Sequence, residues 1–280
     1  MSARAFDRWR LTLPLVLPSL GGLAYLYAFG APGRLTAINA GALVLALVWV
    51  LFGRLPAGSA NRLALAGLAA LALVVPILLG PEVGGVSRWL PAGPVLLHSG
   101  ALLLPLITVL AAREQKVGPA LLALAGAGIV LQPDAASLLA LGLAGAVLAA
   151  MARSFAYTAV SLAALGLAAG TFGAGTLEPQ MFTEGVLAQV RQSSPLFALI
   201  LAALLLLAPF GLLPGKAGTR SKDSCALAAV MIGFAVAAML APFPFPLIGY
   251  GASPILGFGL ALGAIADTPN RHLSGQRPIG

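Results

Sequence analysis

The stretch PFPFPLIGYGASPILGFGLALGAIADTPNRH, residues 242–272, decides the reading of the fold. Three prolines alternate with aromatics. LIGYGASP then makes a Gly-rich turn that opens a last apolar run near 247–266. An apolar run of roughly 20 residues is what a helix needs to cross a bilayer. A spanning helix has no need of Tyr250, Ser253 and several small residues at its end. Small residues at such a place permit close approach of another helix or of a ligand.

The rest of the chain repeats the apolar run. Hydrophobic residues make up 60% of it, charged residues only 9%, and the mean hydropathy is +1.00. Soluble domains carry about 25% charged residues, so this chain cannot cover a globule with charge. The composition predicts an all-α integral membrane protein. Ten spans are read, near 11–29, 36–53, 62–80, 94–112, 117–131, 135–152, 155–172, 194–213, 224–241 and 247–266, in a single polytopic domain over 1–280. The fifth is short. The first has a basic start like a signal peptide, but removing it would strand the charge pattern, so it is read as an uncleaved anchor. No internal repeat stands out beyond Ala, Leu and Gly bias.

Charge sets the orientation. With a cytoplasmic N-terminus, thirteen of the 16 Lys and Arg fall inside. Only Arg34, Arg88 and Arg191 fall outside. This asymmetry follows the positive-inside rule and predicts an even span count with both termini cytoplasmic. The net charge of +8 does not indicate nucleic acid, because no basic stripe is interleaved with aromatics. The one cysteine, Cys225, excludes an intramolecular disulfide and has no metal-ligand neighbours.

Four outer loops hold the chemistry. GGVSRWLPAG, 84–93, pairs a rare outer cation, Arg88, with Trp89, and a guanidinium suits an anionic headgroup or a diphosphate. The bland alternative is an interfacial Trp with a flanking Arg. LQPDAAS, 131–137, places Asp134 where it would cap the following helix. GTLEPQMFTEGV, 175–186, holds two of the chain's eight acidic residues. Glu178 reads as a solvated loop residue. Thr183 is read as the cap of a short helix or re-entrant piece, with Glu184 in its first turn. A carboxylate facing a partly dry cavity suits a general base. The fourth loop is the 242–254 stretch.

These loops resemble, in order, motifs of the SEDS family of cell-wall glycosyltransferases, the FtsW/RodA/SpoVE proteins. Pro246, Leu247, Ile248, Tyr250, Gly251 and Ser253 resemble the family's P-L-I-S-Y-G-G-S-S, with Gly249, Ala252 and Pro254 departing from it. Arg88-Trp89-Leu90 with Gly93 is similar to R-W-[IL]-x-x-G. Gln132-Pro133-Asp134 is similar to Q-P-D. Residues 179–184 are similar to P-E-A-H-T-D, with Glu184 at the acid and Phe182 at the His. The family's Glu and Lys after the first motif have no counterpart in LLHSGALLL, where His98 stands instead as a structural hydrogen-bonder. The loop between the seventh and eighth spans is also short.

The resemblance, over roughly 60–272, implies a SEDS-like fold in the bacterial inner membrane. It implies a glycosyltransferase polymerising lipid II on the outer face, in division or cell-shape maintenance, with a class B penicillin-binding protein as partner. Glu184 would be the base. Arg88, Trp89, Asp134, Thr183, Tyr250 and Ser253 would bind substrate. No metal ligand set is evident, and a divalent cation is the one cofactor left open. Two other readings remain: a non-catalytic relative that binds precursor or a synthase and regulates it, and a flippase of lipid-linked oligosaccharide. Against the flippase, no ionisable residue lies in the middle of a span.

Overall fold

A computed structural model describes residues 3–174, 179–213 and 221–267, with side chains from Arg8 onward. Each of the ten apolar runs holds a helix. These are α1 (Ala3–Ala28), α2 (Gly33–Phe52), α3 (Ser59–Ala72) with its short continuation α4 (Val75–Leu79), α5 (Ser99–Arg113), α6 (Gly118–Val130), α7 (Ala135–Ala152), α8 (Phe155–Thr171), α10 (Pro195–Leu207), α11 (Lys222–Leu240) and α12 (Ala252–Ala266). An eight-residue helix, α9 (Val186–Ser193), lies between α8 and α10. Among the described residues, five helical stretches are long and apolar enough to cross a membrane alone, and five more apolar helices run 13 to 17 residues.

The shorter helices have physical reasons. Residues 94–98, read above as the start of a span, form the end of a turn and a strand instead. They make β2 (Val95–His98), which pairs antiparallel with β1 (Trp89–Ala92), placing Trp89 opposite His98. Gly93 at φ 60° takes the first place of the two-residue turn, as a primed hairpin turn demands. The run 247–266 likewise begins as a turn, and its helix starts only at Ala252. The run 62–80 breaks at Leu73 and Val74 and resumes with Pro76 in the first turn. The run 194–213 ends in a 3₁₀ turn, Ala208–Leu212, where Pro209 removes a helical N–H.

Helix α11 is the most buried of the long helices. It packs along α7 and α5, while α12 packs along α2 and α5. Glycines set the closest approaches. A Cβ at Gly257 would stand 2.2 Å from the carbonyl oxygen of Ala101, and one at Gly233 would stand 2.4 Å from Ala140 Cα. Such backbone contact is how helices associate where lipid removes the hydrophobic drive between them. The outer circumference is apolar: Tyr27, Phe52, Leu79 and Phe155 are among its exposed side chains. This is an inside-out pattern for water and the expected one for lipid.

The two ends of the bundle differ. At one end, ion pairs tie helix to helix. Arg8 meets Asp267 at 3.6 Å, Arg62 meets Glu114 at 2.9 Å and Arg113 meets Asp223 at 3.0 Å. Arg8 also donates to the carbonyls of Val50, Leu51 and Gly53, and the Leu55 amide donates to Asp267. At the other end lie the hairpin, α9 and the turn before α12.

Candidate functional site

The site is built from loops seated on rigid helix ends. Asp134 precedes α7, and its Oδ1 accepts from the Ser137 amide at 3.1 Å, so the cap read from sequence is present. Only 1% of Asp134 is exposed. Its second oxygen, Oδ2, faces His98 Nε2 at 3.4 Å. His98 caps α5: its Nδ1 accepts from the Ala101 amide at 3.1 Å. An accepting Nδ1 leaves the neutral ring's proton on Nε2, toward Asp134. Burial pushes the His98 pKa below its ordinary value. Asp134 pulls it up and Arg88 pushes it down.

Arg88 is 4% exposed. Its Nε donates to the Gln132 carbonyl at 3.2 Å and an Nη to the Pro133 carbonyl at 2.9 Å. Burial lowers its pKa, opposed by Asp134. In this arrangement the guanidinium grips the Gln132-Pro133-Asp134 turn. Gln132 completes the turn: its Oε1 accepts from the Ser99 hydroxyl at 2.8 Å and its Nε2 donates to the Leu73 carbonyl. Trp89 stands half-buried on the hairpin, its ring edge-on to His98 with centroids 6.3 Å apart.

Ser253 joins the hairpin to α12. Its hydroxyl oxygen accepts from the His98 amide at 2.7 Å, and the residue is 3% exposed. One turn earlier, the same motif meets the glutamate loop. The Tyr250 amide donates to the Phe182 carbonyl at 2.7 Å, and Glu184 pairs through its backbone with Pro244. A Cβ on Gly249 would stand 2.9 Å from the Thr183 carbonyl, so only glycine fits there without a shift.

Thr183 does not cap α9. Gly185, left-handed at φ 66°, is the N-cap, no side chain caps the helix, and Glu184 precedes it rather than lying in its first turn. The reason is the tight turn of 180–184, in which the Thr183 and Glu184 amides both donate to the Gln180 carbonyl. The Glu184 carboxylate closes that turn by accepting from the Gln180 amide at 2.7 Å. It is half-buried. Burial raises its pKa above the ordinary carboxylate value, and hydrogen bonds from the Gln180 and Glu184 backbones partly offset the rise. Glu178 lies outside the described residues.

The structure thus brings Arg88, Trp89, His98, Asp134 and Ser253 into one network, and Thr183, Glu184 and Tyr250 into a second. The turn at 249–253 belongs to both. Among the described residues no group of three or more His, Cys, Asp or Glu side chains could hold a metal ion.

The sequence reading missed Asn39. It is 1% exposed on α2, yet its Nδ2 donates to the Gly249 carbonyl at 3.0 Å and its Oδ1 accepts from the Gly251 amide at 3.1 Å. Its signal was a single amide inside an apolar run, since polar groups in spanning helices are costly and tend to be used.

The fold and site define a multi-pass α-helical membrane protein with a structured loop site at one end. Its backbone is similar to that of known proteins. The Thermus thermophilus rod shape determining protein RodA matches over 91% of this chain and 94% of its own, with a TM-score of 0.64 at 22% identity. A point mutant of that RodA matches over the same shares, with a TM-score of 0.68 at 20% identity. A chain from a peptidoglycan synthase complex that coordinates polymerization and crosslinking matches over 91% of this chain and 96% of its own, with a TM-score of 0.59 at 20% identity. The chain therefore has the fold of RodA. No protein-family model matches it, and no curated protein matches it in sequence.

Proposed function

We propose that this chain is a short, divergent SEDS-type glycosyltransferase that polymerises lipid II at the outer face of the bacterial inner membrane. One observation carries the reading. In a chain with the RodA fold, a half-buried carboxylate, Glu184, is held beside the 249–253 turn that also anchors the Arg88–Asp134 network. The reaction needs little covalent machinery. Glu184 takes the proton of an acceptor sugar hydroxyl. That oxygen bonds to the donor's anomeric carbon, the carbon–oxygen bond to the lipid diphosphate breaks, and the diphosphate leaves with the electron pair. A base of raised pKa works closer to neutral pH than an ordinary carboxylate.

The solved complex of a similar chain supports a synthase partner, and a class B penicillin-binding protein is the proposed one. The experiment is polymerisation of labelled lipid II by purified protein, with and without that partner. Glu184→Gln should abolish glycan chains while leaving the protein folded. Chains from the variant at the wild-type rate would defeat the assignment of the base.

One observation favours the second reading, a non-catalytic regulator that binds precursor or synthase. The Glu184 carboxylate, the Arg88 guanidinium and the Asp134 carboxylate each already bond protein groups. Precursor binding without glycan chains under every condition would select it. A flippase is disfavoured by the three ion pairs that lock the opposite end of the bundle.

A further inference from the structure

Every recognisable motif of this chain lies beyond residue 80, yet the grip on those motifs comes from the first two helices. Arg34, in the first turn of α2, donates to the Pro94 carbonyl at the hairpin tip at 2.6 Å. Tyr25, fully buried near the end of α1, donates to Gln189 Oε1 on α9 at 2.6 Å and packs its ring 6.2 Å from Phe182. Gly22 lies so close to the 247–248 backbone that a Cβ would stand 2.7 Å from the Leu247 carbonyl. Asn39 completes the set, and its geometry is the most specific. Its one amide bonds the carbonyl of Gly249 and the amide of Gly251, the two residues that flank Tyr250.

We infer that Asn39 is a positioning residue of the proposed glycosyltransferase site, an amide that fixes the 249–251 turn from α2 and acts through it on Tyr250 and the Glu184 loop. The inference rests on the reading given under the proposed function. The physical argument is that of a fork. A side-chain amide presents its N–H donors and its acceptor oxygen in one plane. Here an N–H and the oxygen both engage a single turn, so the turn is fixed in position and in tilt. Its next bonds lead to the site on both sides. The Tyr250 amide holds the Phe182 carbonyl, and the Ser253 hydroxyl holds the hairpin at His98. A residue that only filled space would need neither bond.

Displacement of reacting groups by about 1 Å can cost on the order of 100-fold in rate. Asn39→Leu, similar in size but without either bond, is therefore expected to lower kcat about 100-fold while changing KM for lipid II by less than about threefold. At this 1%-exposed position burial favours the neutral acid of Asn39→Asp, which can donate through its O–H to the Gly249 carbonyl and accept from the Gly251 amide, so its kcat should fall between Asn39→Leu and wild type. Hydrogen exchange supplies a readout besides activity. The Gly251 amide should exchange at least tenfold faster in Asn39→Leu, with the amides of α7 and α11 unchanged.

Wild-type kcat in Asn39→Leu overturns the inference. So does a fall in kcat that Asn39→Asp does not partly restore. If wild type itself makes no glycan, the glycosyltransferase reading fails on its own, and the exchange measurement decides the remainder. An unchanged Gly251 amide then removes Asn39 from the turn. If Asn39→Leu fails to fold, Asn39→Ala carries both measurements, with wild-type kcat and wild-type exchange as the overturning result.

Discussion

Replacing Arg88 by Met tests whether this cation holds protein or substrate. Two charge-assisted hydrogen bonds to the Gln132 and Pro133 carbonyls would be lost, leaving both carbonyls without that donor. Asp134, 1% exposed, would keep only the neutral His98 opposite its second oxygen. Hydrogen bonds to charged groups are worth about 1.5–3 kcal/mol each, and loss of the buried cation also removes its favourable field on Asp134. The losses overlap, so the expected destabilisation is about 3–5 kcal/mol. For a chain of this size that corresponds to a fall in Tm of roughly 6–20 °C. The assay is thermal unfolding of the detergent-purified protein, with lipid II binding measured on the same samples. Arg88→Lys keeps the charge but cannot serve both carbonyls in a planar fork, so it should fall between the two. A Tm within about 3 °C of wild type for Arg88→Met, together with lost lipid II binding, would refute the positioning argument and return Arg88 to the diphosphate.

Other outcomes follow from the same geometry. Burial raises the Glu184 pKa, and a base must be ionised, so polymerisation should fall as pH drops through that raised value. The acid limb of kcat should then lie above the roughly 4.3 of an ordinary glutamate, and a limb at or below that value would contradict the burial. The stability sign is the converse: the raised pKa favours the folded protonated form, so Glu184 contributes stability below its unfolded pKa and loses it as pH rises through the folded one. Gly257→Ala drives a methyl into the backbone carbonyls of Ala101 and Leu102 and should cost about 1–3 kcal/mol or more in thermal unfolding. Gly166→Ala, at a helical site with nothing within 4 Å, should be neutral or stabilising by up to about 1 kcal/mol. Equal effects of the two would remove the argument for close packing of α5 on α12.

Much of the architecture was legible because bilayer-crossing helices announce themselves by length and apolarity. The places where the reading slipped share a cause. Val95-Leu96-Leu97 is as apolar as the helix that follows, and a short apolar run does not distinguish strand from helix. The deciding feature was Gly93-Pro94, a turn that pairs β1 with β2. Thr183 looked like a cap because it precedes a helix-forming segment, but a tight turn on Gln180 passes that role to Gly185. Asp134 was read correctly as a cap because capping is local, three residues along the chain. Asn39 was missed because its partners are 210 residues away. Arg88 illustrates the remainder: sequence shows a rare outer cation, and only the fold shows that its hydrogen bonds end on the 132–133 backbone.

The contact of the first helices with the last has a meaning for biogenesis. Asn39 enters the bilayer early in synthesis, and its partners at Gly249 and Gly251 arrive only with the final segment. Arg8 likewise awaits Asp267. An amide without a partner in hydrocarbon is costly, so the nascent chain must shelter these groups against the insertion machinery, water or headgroups until α12 emerges. Among the described helices the one latest in the chain, α12, closes the bundle, since it packs on both α2 and α5. A chain that stops before residue 247 would leave Asn39 without its two backbone partners and Arg8 with only the carbonyls of Val50, Leu51 and Gly53.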